Sequence, residues 1–123
     1  MKLFSVEEAN RLIPELQPLV RQVAILWQNI TDLQPEIQLA RNNAEFGGGS
    51  PVGAYYIEEV TTFLKAVNRV EKRGVLIKDY KIGLCDFPHL RDGRIIYLCW
   101  KMDEDLVHYW HEVDAGFSGR QPL

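Results

Sequence analysis

Residues 5–40, SVEEANRLIPELQPLVRQVAILWQNITDLQPEIQLA, decide the fold. Leu12, Leu16, Leu19, Val23, Leu26, Ile30, Leu33 and Ile37 recur in alternating steps of four and three. That spacing is a heptad seam, along which one helix packs its side chains into the holes of another. Ser5 stands in front as an N-cap, and Glu8 three residues on completes a capping box. A second row, Ile13, Val20 and Trp27, lies one residue beyond alternate seam positions. It widens the apolar stripe and predicts burial on more than one side. Pro14, Pro18 and Pro35 each lack a backbone donor and crowd the preceding turn. They predict bends near Pro14 and Pro35, or a helix from Ser5 to Ile13 followed by a new one opened by Pro14.

Outward from this helix, Asn42 to Gly53 reads as a loop, because Gly47-Gly48-Gly49-Ser50-Pro51 holds regular structure poorly. No strand precedes these glycines and no lysine follows, as a phosphate-binding loop would require. Helical spacing returns from Ala54 to Arg73, where Tyr56, Val60, Phe63, Val67 and Val70 repeat the four-three steps and Gly74 ends the run. Two such helices form an antiparallel hairpin. The first, about 36 residues, would span ~54 Å and the second, about 20 residues, ~30 Å. The N-terminal part of the first helix therefore needs another cover, either the C-terminal third or a second copy of the chain.

That C-terminal third reads as a small sheet. Val75–Lys78 and Leu84–Phe87 are short strands, and Arg94–Trp100 is rich in β-branched and aromatic residues. Both faces of Arg94–Trp100 are apolar, which suits a central strand. Leu106–His111 suits a further strand after a turn at Met102–Asp105. Arg91-Asp92-Gly93 is a hairpin turn. A three-residue loop sets Leu90 against Arg94 and Cys85 against Cys99, whereas a two-residue Asp92-Gly93 turn slips the register and separates the cysteines. Pro88 weakens the count. The two thiols are expected to be buried and reduced. The expectation is an α+β domain over 1–123: a long antiparallel helical hairpin (1–74) packed on a three- or four-stranded antiparallel sheet with a tail (75–123).

A chain of 123 residues with a formal charge of −3 can bury a core without staples. Asp86, Asp92, Asp103, Glu104, Asp105, Glu112 and Asp114 outweigh Arg91, Arg94, Lys101 and Arg120, so no basic stripe for nucleic acid appears. No apolar run approaches the ~20 residues that span a bilayer, and Met1-Lys2-Leu3-Phe4 has no signal-peptide character. These features point to a cytoplasmic protein without nucleic-acid or membrane partners.

Several strings then carry a resemblance. They are Phe4-Ser5-Val6-Glu7-Glu8-Ala9-Asn10, Leu12-Ile13-Pro14, Gly74-Val75, Gly83-Leu84-Cys85-Asp86-Phe87-Pro88, Gly93-Arg94, Leu98-Cys99-Trp100-Lys101, Trp110-His111 and Gly116-Phe117-Ser118-Gly119-Arg120. Through them nearly the whole chain resembles a small bacterial family catalogued as domain of unknown function 2203. The resemblance implies no activity. In that family's pattern the position of Cys85 often carries valine, and histidine at 108 is not typical, which speaks against a metal site built on either.

All three histidines and both cysteines lie between Gly83 and the C-terminus. No Cys-x-x-Cys or His-Glu-x-x-His spacing occurs, so neither a metal nor a cofactor is expected. Cys99, flanked by Leu98 and Trp100, reads as an inert buried thiol. His111 is the candidate acid or base, with Asp86 or Asp114 to orient it. Arg94, Trp100, Trp110, His111 and Arg120 are the candidate ligand-binding residues. Gly116 and Gly119 let the tail curl back and bring Arg120 to the sheet, where it either grips a small anionic ligand or staples the tail. The leading expectation is a non-enzymatic protein that self-associates or binds another protein, forming a homodimer through the long helix. The alternative is a small enzyme or anionic-ligand-binding protein using the cluster around His111.

Overall fold

The computed structural model describes residues 1–35, 39 and 51–123. Seam position Ile37 and most of the expected 42–53 loop lie outside them. Among the described residues the fold is α+β: two long helices, α1 (Val6–Asp32) and α2 (Pro51–Glu71), packed on a five-stranded antiparallel sheet. Ser5 and Glu8 form the capping box, each side chain bonding the other's backbone N–H at 3.0 and 3.1 Å.

α1 runs unbroken through Pro14 and Pro18. Both prolines face solvent, so water can satisfy the carbonyls of Asn10 and Pro14 that lose their intrahelical donors. The helix expected to residue 40 is interrupted at Leu33, and Gln34, Pro35 and Leu39 are again helical. α1 ends at Asp32, with Leu33 as its cap, next to the bend expected near Pro35. α2 begins three residues earlier than expected, at Pro51, where a fixed φ suits a first turn. Gly74 follows α2 with φ +92°, and a Cβ there would stand 2.9 Å from that of Lys2.

The sheet is a meander, β1 (Leu76–Asp79), β2 (Leu84–Arg91), β3 (Arg94–Lys101), β4 (Tyr109–His111) and β5 (Gln121–Pro122), each paired with the next. The fifth strand was not anticipated. The β2–β3 hairpin turns on Asp92 and Gly93, at φ +51° and +78°, as a type I′ turn requires. Arg91 therefore faces Arg94, Asp86 faces Cys99 and Cys85 faces Trp100. The three-residue loop that would have set the cysteines opposite each other does not form. Pro88 sits where β2 has run past β1, and its carbonyl accepts the Phe4 N–H at 2.7 Å.

Alternation assigns the two faces of the sheet. Ile77, Cys85, Phe87, Ile96, Leu98, Trp100 and Trp110 join Ala9, Ile13, Leu16, Val20, Val23, Phe63 and Val70 in one core. The N-terminal half of α1 is thus covered by the sheet, with Ile13 and Val20 buried as fully as Leu16 and Val23. Leu12 and Leu19 pack at its margin. Asn10 and Gln17 dock the β3–β4 connection, Asn10 accepting from the Val107 N–H at 2.7 Å and Gln17 donating to the carbonyls of Met102 and Glu104.

Candidate functional site

The opposite face of the sheet carries Asp86 from β2, Tyr97 and Cys99 from β3, and Tyr109 and His111 from β4. Among the described residues no α-helix covers this face. Residues 112–123 do so instead. Gly116, at φ +68°, lets the tail reverse into a turn at Phe117–Gly119, and β5 then pairs back on β4. Arg120 fixes the return. It donates to both Glu104 carboxylate oxygens at 2.8 and 3.0 Å and stacks over Tyr109 and Phe117 at 4.0 and 5.0 Å. Both bonds come from Nη2, and the planar guanidinium stacks on the two rings in a way lysine could not match.

Beneath the tail, Asp86 and His111 are 1% and 3% exposed, with His111 Nε2 3.0 Å from Asp86 Oδ1. His111 Nδ1 lies 2.7 Å from the Glu112 carbonyl oxygen. A carbonyl only accepts, so Nδ1 carries the proton. Neutral imidazole would then turn the Nε2 lone pair toward carboxylate oxygens. The contact closes only if a proton lies between Nε2 and Oδ1, on one side or the other. Burial pushes the Asp86 carboxyl above the usual carboxylate range, while the hydrogen bond and charge of His111 pull it back.

Cys99 completes the cluster. Its Sγ, a carboxylate oxygen of Asp86 and a ring nitrogen of His111 all lie within 4.8 Å of one another. Burial pushes this thiol up to about 11, so it is no nucleophile in the protein as it stands. Cys85, on the core side, is raised further, again by burial. Both cysteines are free and buried, as expected.

A cavity of about 120 Å³ opens onto this pair, lined by Lys78, Leu84, Asp86, Tyr97, His111, Val113, Gly116 and Phe117. Lys78 brings the one cationic side chain of that lining, its Nζ 5.0 Å above the Tyr97 ring. A larger, shallower groove beside Arg21, Ile25 and Met102 has no buried ionisable group in its lining.

Of the anticipated site residues, the structure joins only His111 and Asp86. Asp114 is exposed and makes no hydrogen bond among the described residues. Arg94 is bound to the Glu112 carboxylate at the surface. Trp100 and Trp110 belong to the helix-facing core, and Trp100 Nε1 donates to the Glu104 carbonyl at 2.8 Å. Arg120 staples the tail. Lys78, Tyr97, Cys99 and Phe117 went unnoticed as neighbours of the site. The two-residue turn was the available signal, since it alone puts Asp86 across from Cys99.

No curated protein and no solved structure matches the chain. A family model described as "Uncharacterized conserved protein (DUF2203)" matches residues 2–123. The chain therefore belongs to that family, the one its N-terminal and C-terminal strings resemble.

Proposed function

We propose that this protein binds a small anion, a carboxylate of a few heavy atoms, in the tail-covered pocket on the outer face of its sheet. One observation carries this reading: a buried Asp86–His111 pair opens into a cavity. A pair serving stability alone would be expected to sit in packed surroundings. Size limits the ligand. At ~30 Å³ per water the cavity holds about four waters' volume, well below the ~300 Å³ of a drug-sized site. Charge sets its sign. Asp86 and His111 sum to zero wherever their shared proton sits, and Lys78 at the rim adds one positive charge. The pair also gives the pocket a proton to lend or accept, which keeps a small enzyme within this reading.

The test is titration of chelator-treated protein with acetate, followed by amide chemical shifts. Saturable shifts confined to Lys78, Tyr97, His111 and Gly116 are expected, weakened about tenfold or more in Lys78→Gln. That reading falls if acetate produces no saturable shift there.

A second reading, self-association, draws on apolar side chains that the helices leave in solvent. Ile25 is 62% exposed, and Ile57 and Leu64, seven apart on α2, are 67% and 58% exposed. The heptad seam is largely used within the protomer, so a homodimer would form through this outer row. Light scattering at tens of micromolar that shows only monomer removes it. Two reduced thiols suit a cytoplasmic setting. No helix among the described residues is long and apolar enough to cross a membrane.

A further inference from the structure

We propose that Asp86, Cys99 and His111 bind one borderline divalent transition-metal ion, such as Zn²⁺ or Co²⁺, leaving a fourth position open to the pocket. The inference rests on the reading above only for the pocket, and it concerns the metal, not the anion.

Three neighbouring strands supply the ligands from one face. Asp86 pairs directly with Cys99, and His111 stands opposite Tyr97, diagonal to Cys99. A carboxylate, a thiol and an imidazole form the mixed donor set of open zinc sites, whereas calcium and magnesium would ask for oxygen ligands. No short sequence motif announces the set, because its members are 13 and 12 residues apart.

His111 is already oriented as a metal ligand. Its Nδ1–H is committed to the Glu112 carbonyl, the outer-shell bond that fixes tautomer and ring direction. Its Nε2 lone pair points at Asp86. The space now closed by a shared proton is the space an ion would take. Coordination displaces that proton and the thiol's proton to solvent.

Arg120 adds an independent observation. Its Nε is buried without a hydrogen-bond partner, and its guanidinium lies close enough to Cys99 to bond the sulfur and favour the thiolate. The carboxylate and thiolate charges cancel those of the ion, so the filled site is neutral where desolvation is severe. Donors around a tetrahedral ion stand ~3.3–3.7 Å apart. A separation of up to 4.8 Å must therefore shrink by ~1.1–1.5 Å, within reach of a rotation of Cys99.

The test is Co²⁺ titration of the reduced, chelator-treated full chain, read by absorption. One ion per chain is expected, with a thiolate-to-cobalt charge-transfer band in the near ultraviolet that Zn²⁺ abolishes by displacement. Cys99→Ala should eliminate the band and His111→Gln should weaken binding at least tenfold, while Cys85→Ala and His108→Ala leave both unchanged. Circular dichroism of each variant checks that it folds. If Cys99→Ala does not fold, Cys85→Ala decides: a band retained there is Cys99's. The proposal is overturned if the wild type gives no thiolate band, if the band survives in Cys99→Ala, or if it is lost in folded Cys85→Ala. Acetate binding is read without metal, so failure of either idea leaves the other's result intact.

Discussion

Asp86 is where charge and shape separate most cleanly. Asn in its place can donate from Nδ2 to the His111 Nε2 lone pair, so the contact survives without a shared proton. Asp86→Asn is expected to cost no more than about 1 kcal/mol in urea unfolding. Asp86→Leu leaves a buried nitrogen without a partner and should cost about 2 kcal/mol more. Equal losses in the two variants would mean that the pair is held as two full charges. Glu8 makes a pH prediction of known sign. Its hydrogen bonds with Ser5, backbone first, hold its carboxyl below the ordinary 4.5. A folded value that is lowered stabilises above the unfolded value and fades as pH falls through the folded one. Gln keeps the capping-box acceptor and removes the charge. Glu8→Gln should thus melt below wild type at pH 7, and the two curves should converge in acid. Sequence reading reached His111 and Asp86 because a histidine beside Tyr109-Trp110 and near carboxylates is noticeable in one dimension. It set Cys99 aside as an inert thiol, because a thiol's role here depends on whether Asp92-Gly93 or Arg91-Asp92-Gly93 makes the turn.

At the scale of elements, α1 shows how tertiary burial overrides a local penalty. Ala9, Ile13, Leu16, Val20 and Val23 are held by α2 and the sheet, and that burial keeps the helix continuous across two prolines. An interior proline costs ~3 kcal/mol relative to alanine. Pro18→Ala restores a donor to the Pro14 carbonyl on a solvent-facing surface, with no side chain to overpack. Part of the gain is offset because proline also restricts the unfolded chain. A net stabilisation of about 1–2 kcal/mol is expected in chemical denaturation, and a variant no more stable than wild type would show that the ring contributes packing of its own. The helix pairing was legible because heptad spacing survives a one-residue shift in where the stripe centres. The interruption at Leu33 was legible only as a bend near Pro35, since apolar periodicity runs on through it. β5 escaped because a two-residue strand has no periodicity to read.

For the molecule as a whole, the two cysteines report on two layers held by different means. Cys85 lies between sheet and helices, and reaching it requires the core to separate. Cys99 lies under the tail, whose return depends heavily on one side chain: Arg120 holds Glu104 and stacks on Tyr109 and Phe117. A half-buried charged pair with two cation–π contacts is worth about 2 kcal/mol. Removing them makes tail opening roughly thirtyfold more frequent, at tenfold per 1.4 kcal/mol. Opening also hydrates Cys99 and relaxes its thiol from about 11 toward its ordinary 9, so exposure and reactivity rise together. In Arg120→Ala, one thiol per chain should therefore react with a disulfide reagent at least tenfold faster than in wild type, and the second should wait for global unfolding. Cys99→Ser in the same background should remove the fast phase, and Cys85→Ala should leave it. If both thiols instead react at one rate, the tail does not open on its own. The pocket beneath it would then admit a ligand only through the mouth at Lys78 and Phe117, and ligand entry would be independent of Arg120.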